Sequence, residues 1–185
     1  MIAMFRRPAR RGIPPATDEE APVDLWRTRS SRTQLMMAGL RVMMGGVFLA
    51  VWVDNLRKDL YAPERWADFV QEYADTTKVG FYADLLNDYV IPNAGVFAYG
   101  QLVTELVVMG LFLLVGLFTP IAGLLGAAFQ LNLLLATSGI PTEWPGTYLI
   151  MFLVLLAVAF SQSGRTLGVD AALAARTPRP KVPIY

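Results

Sequence analysis

The chain contains neither cysteine nor histidine. Without them there is no disulfide, no zinc site of the usual Cys/His kind and no thiolate-held iron–sulfur cluster. Imidazole-ligated haem and Ser–His or Cys–His nucleophilic pairs are excluded as well. Redox chemistry in such a chain needs a partner or a diffusible cofactor. Charge is also scarce: 17% of the 185 residues are charged, against about 25% in an ordinary soluble domain. The 16 basic and 15 acidic side chains nearly cancel, so the balance selects neither nucleic acid nor an acidic partner. Apolar residues are what the chain has in excess. They make up 55% of it, and the mean hydropathy of +0.43 points to lipid.

Four apolar runs carry that excess. Residues 35–53 hold one charge, Arg41, and at about 1.5 Å per residue they cover a hydrocarbon core. Residues 94–118 are interrupted only by Gln101, Thr104 and Glu105, and follow Pro92, which suits a helix start. Residues 121–137 and 147–160 are shorter and need flanking residues to reach across. Thr119-Pro120 leaves room only for a tight antiparallel turn. The segment SGIPTEWPG breaks helicity and sets Trp144 at headgroup level. The expected fold is all-α: an integral membrane four-helix bundle.

Charge distribution orients it. Residues 1–34 carry seven arginines against four acids, and residues 161–185 four basic residues against one acid. Residues 54–93 carry four basic and eight acidic residues, a net of −4. The positive-inside rule then places both termini in the cytoplasm and the 54–93 loop outside, in a multi-pass protein of a bacterial inner membrane. Residues 1–34 read as an Arg/Pro-rich cytoplasmic tail, disordered or ordered by a partner, with no cleavable signal. Residues 35–162 form the membrane domain and 163–185 a cytoplasmic C-terminal tail. The tail arginines lack the aromatic or motif context of nucleic-acid binding, so no nucleic-acid partner is expected.

Within the external loop, Trp66, Phe69, Val70 and Tyr73 fall at i, i+3, i+4 and i+7, and Phe81, Leu85 and Tyr89 follow at four-residue intervals. Two short amphipathic helices are predicted, suited to lying on the outer leaflet, capping the bundle or docking a partner subunit. Inside the spans Glu105 stands out, because a lone carboxylate in lipid must be protonated, paired or turned inward. Gln101, one turn earlier, shares its face. Arg41 is the natural counter-ion if the first helix buries it deeply enough, and otherwise snorkels to the surface. Gln130 and Asn132 lie about 200° apart on the wheel, so only one can face Glu105. Arg41, Gln101, Glu105, Gln130 and Asn132 are thus the candidates for a quinone site, for a helix-packing polar network, or for proton transfer through Glu105, the one candidate catalytic residue. The methionines read as packing, no phosphate loop or dinucleotide fingerprint appears, and no metal site is expected.

An arginine followed by glycines in LRVMMGGVFL, a glutamate ahead of GLFTP, and a closing GRTLGVDAAL together resemble the DoxX/DoxD family of four-helix bacterial membrane proteins. The likeness spans residues 35–175, with Arg41, Gly46, Glu105, Gly116 and Asp170 at positions typical of the family. A lysine often follows the first span there, where this chain has Asp54-Asn55-Leu56-Arg57-Lys58. The resemblance implies a small membrane subunit of a quinone-linked oxidoreductase, with thiosulfate as electron donor and a second subunit as partner. No covalently bound cofactor is expected, and a quinone is the one readily compatible redox ligand. The acidic loop would repel thiosulfate. The alternative is a non-catalytic accessory or scaffold subunit of a larger respiratory, photosynthetic or envelope complex.

Overall fold

A computed structural model describes residues 31–176, and all regular structure among them is helical. The expected disorder of residues 1–30 and the far C-terminal tail, residues 177–185, lie outside the described residues.

Helix α1 (Ser31–Arg57) ends just before Asp59, whose φ of 55° turns the chain. Pro63 opens α2 (Pro63–Thr76), where its missing N–H costs nothing. Next come α3 (Gly80–Leu85), α4 (Ala94–Val103) and α5 (Leu113–Val115), successive stretches of one long helix, Gly80–Val115. Its first irregularity, at Leu86–Val90 and Ile91–Asn93, surrounds Pro92, which cannot donate to the preceding turn. Its second is a π-helical stretch, Thr104–Phe112, that begins beside Glu105 without any proline. Gly116 stops the helix with a φ of 72°, and the Leu117 N–H reaches back to the Phe112 carbonyl at 2.9 Å, the long bond of a Schellman cap. Three helices complete the order: α6 (Thr119–Ala136), α7 (Pro145–Phe160) and α8 (Val169–Arg176).

Among the described residues, three helices are long and apolar enough to cross a membrane: Arg32–Arg57, Gly80–Val115 and Thr119–Gly139. At 16 residues α7 is shorter, about 24 Å. α1 packs along the π-helical stretch, α5 and α7, and α6 packs along the π-helical stretch and α7. Between them lies an apolar core that includes Met44, Phe48, Met109, Leu113, Leu155 and Val158. Gly45 brings α1 so near the long helix that a Cβ there would meet the Leu114 nitrogen at 2.7 Å, the small-residue approach usual between membrane helices. Val42, Met43, Leu124, Leu131, Ile150 and Leu153 point outward and are exposed, as faces in contact with membrane lipid must be.

A second core sits at the loop end. α2 buries Trp66, Val70 and Ala74 against Tyr82, Leu86, Ala98 and Ala136, and Trp66 stacks on Phe97 with centroids 6.2 Å apart. The face expected of the first loop helix is therefore the packed one. The second loop helix differs from expectation. It is the start of the long helix rather than a separate element, and its buried residues are Tyr82 and Leu86. Phe81 and Tyr89 are 70% and 68% exposed. The segment is apolar on more than one side, so four-residue spacing alone picked the wrong stripe.

Candidate functional site

Glu105 lies at the start of the π-helical stretch and is 1% exposed. Three side chains meet its carboxyl. Gln101, one turn earlier, donates its amide N–H to Glu105 Oε1 at 2.7 Å, and Asn55 Nδ2 donates to Oε2 at 3.2 Å. The Tyr61 hydroxyl, from the turn between α1 and α2, donates to the same Oε2. Gln101 is itself held from above: its Oε1 accepts the indole N–H of Trp66 at 2.8 Å. One carboxyl thus ties together the end of α1, the following turn, α2 and α4. Burial, and then the bond to Glu105, hold the Tyr61 phenol above its usual pKa; burial does the same for Tyr73 on α2. Both stay protonated, and Tyr61 stays a donor, through the neutral range.

Asn55 comes two residues after Val53, the last residue of the first apolar run. Glu105 therefore sits level with the loop end of α1, under the α2 cap, although it is central in its own apolar run.

Two cavities adjoin at this level. The inner one, of about 250 Å³, is lined by Asn55, Gln101, Glu105, Gln130 and Tyr148 among apolar and aromatic walls. The outer one, of about 430 Å³, lies between α2 and the long helix and is lined by Trp66, Tyr82, Phe97 and Asn132. Phe69, Tyr73, Gln101, Phe129 and Leu133 belong to both. Gln130 is 2% exposed, and its Oε1 has no hydrogen-bond partner. A buried carbonyl oxygen left unbonded is costly unless something else meets it. Asn132 turns the other way and accepts the Tyr82 hydroxyl at 2.8 Å, so the divergence of these two amides follows the helical wheel.

Arg41 does not join this group. It is 1% exposed and donates to the backbone carbonyls of Ser163 and Leu167, the former at 3.2 Å. Beside it Asp170, fully buried, accepts the backbone N–H groups of Phe118 at 2.8 Å and Thr119 at 3.0 Å, while its own N–H donates to the Gly116 carbonyl at 2.9 Å. The expected pairing of Arg41 with Glu105 is thus replaced by two separate clusters. Fourteen residues separate Arg41 from Asn55 along α1, about 21 Å. Arg41, Gly116 and Asp170 come together, whereas nothing approaches the position where a Gly46 side chain would be.

Of the candidates, Gln101, Glu105, Gln130 and Asn132 line the two cavities and Arg41 lies apart. Sequence reasoning missed Asn55 and Tyr61 as partners of Glu105. Asn55 lies just past the first apolar run and carried no signal of its own, and Tyr61 carried none either, being 44 residues from the group it binds. No protein-family model, no curated protein and no solved structure matches the chain.

Proposed function

We propose that this chain is a DoxX/DoxD-like membrane subunit of a quinone-linked oxidoreductase, built as a four-span bundle with both termini on the cytoplasmic side of a bacterial inner membrane. For the fourth span, α7 lies along α6 and α1 and exposes Leu149, Ile150, Leu153 and Phe160, as apolar a face as that of α1. A helix this short is accommodated by flanking residues and local thinning of the bilayer.

The observation that carries the functional reading is the convergence of Glu105, Gln101 and Gln130 on one aromatic-walled cavity. The residues fit a quinone: apolar walls for a flat ring, and the side-chain amide N–H groups of Gln101 and Gln130, on two helices, as donors to its two oxygens. When bound, a quinone supplies the two-electron acceptor that this chain lacks. Gln101 and Gln130 would orient the ring between the aromatic walls. Glu105 exchanges a proton at Oε2 by way of the Tyr61 hydroxyl, which donates to that oxygen while the carboxyl is ionised, with water on the loop side. Between Glu105 and Arg41 lies a core built of apolar side chains, among them Met44, Phe48, Met109 and Leu113. With the loop at net −4, an anionic donor such as thiosulfate is oxidised on a partner subunit rather than here. In the complex extracted from membranes, Glu105→Gln lowers reduction of a short-chain quinone analogue. Unchanged turnover overturns the assignment.

The second reading, a non-catalytic accessory subunit, is favoured by the exposed Phe81 and Tyr89 at the loop end. Gentle extraction and mass spectrometry separate the two: large cofactor-bearing partners support scaffolding, and a lone chain or small pair opposes it.

A further inference from the structure

We infer that the inner cavity is also a binding site for a small protonated amine carrying an apolar group. This rests on the charge of the cavity and not on the quinone reading. Among the described residues, no lysine or arginine lines either cavity. The partners of Glu105 are Tyr61, Asn55 and Gln101, all neutral, and they hold the carboxyl in place without compensating a negative charge. The cation that could have done so, Arg41, is committed to backbone carbonyls at the far end of α1. A buried carboxylate without a counter-charge favours a cation over an anion or a neutral molecule of the same shape.

Two further features agree. Phe48, Phe69, Tyr73, Phe129 and Tyr148 line the walls, and aromatic faces attract cations. The loop that covers the site carries a net charge of −4, which draws cations towards it and repels anions. The titratable groups around the carboxyl are Tyr61 from the turn, Tyr73 on α2 and Tyr148 on α7, all neutral phenols. Where the carboxyl carries a proton beforehand, binding releases it through Tyr61 to loop-side water, so one positive charge enters and one leaves.

The experiment compares benzylamine, protonated at neutral pH, with benzyl alcohol, nearly the same shape and uncharged. Equilibrium dialysis is run on the full chain in zwitterionic nanodiscs, with empty nanodiscs as the partition control. Saturable binding of one benzylamine per chain is expected, about tenfold or more tighter than benzyl alcohol. Glu105→Gln, checked for unchanged helicity and melting, abolishes that preference. Equal affinity for the two probes, absence of saturable benzylamine binding, or a preference that survives in Glu105→Gln overturns the inference. A quinone analogue measured in the same preparation reads the quinone proposal separately, since a neutral ring does not need the charge.

Discussion

The two buried polar clusters of this protein sit at opposite ends of α1 and are built from different materials. At the tail end, Arg41 and Asp170 bond to backbone groups of the Gly116–Thr119 turn and the Ser163–Leu167 segment. A Cβ on Gly116 would sit 2.1 Å from the Arg41 guanidinium, so no space remains for a ligand. At the loop end, the partners of Glu105 are all side chains, and two cavities open beside it. Backbone groups cannot move without unfolding the turn that carries them, so a cluster bonded to backbone locks the fold. Side chains can exchange partners, so a cluster bonded to side chains beside a cavity can take up a ligand.

The largest expected effect concerns which side of the membrane each end faces, and it is all or none. Because the natural chain has no cysteine, Asp68→Cys and Arg176→Cys can each be labelled without background. In sealed vesicles of one orientation a membrane-impermeant maleimide reacts with only one of the two. Reaction of both from the same side means that α7 does not cross.

The two clusters should then separate by what they lose. Glu105→Gln lowers quinone turnover about 10²- to 10⁴-fold, the usual range for removing a proton-transferring group, while its melting temperature changes little. Arg41→Met does the reverse. It leaves Asp170 and two carbonyls uncompensated in the interior and costs about 3–5 kcal/mol in denaturation, with turnover retained at permissive temperature. If both variants lose stability alike, the loop-end cluster is structural too.

Smaller effects sharpen the loop end. Trp66→Phe removes the hydrogen bond that fixes Gln101, costing about 0.5–1.5 kcal/mol of stability and weakening ligand binding severalfold, because Gln101 then turns between the two cavities. The smallest effect is at alkaline pH. Tyr61 has a folded pKa above its unfolded value of about 10, so its contribution is complete below that pH and is lost as pH rises beyond it. A melting series across that range is shallower for Tyr61→Phe than for the natural chain.

Much of this is legible in the order of residues alone. Trp66, Val70 and their neighbours announce a packed helical face by spacing, because a polar opposite side makes the stripe unambiguous. The divergence of Gln130 and Asn132 follows from the rotation per residue. Glu105 has to be sequestered because an isolated carboxylate in lipid is expensive. The stripe at Phe81, Leu85 and Tyr89 misleads because that segment is apolar on more than one side, and periodicity then no longer distinguishes inside from outside. The partner of Arg41 is hidden for another reason. Two helices of known length can slide past each other, and which residues come level depends on their stagger.

The amino-acid sequence by itself therefore dictated that the chain is helical, which runs are apolar, and that one carboxyl must be buried, since each of these depends on a few neighbouring residues. The tertiary structure decided what that carboxyl touches. Asn55, Tyr61 and Gln101 reach Glu105 only because α2 folds back over the bundle and α1 ends level with it. That alignment is set by packing across the whole interface and is encoded in no short stretch of sequence.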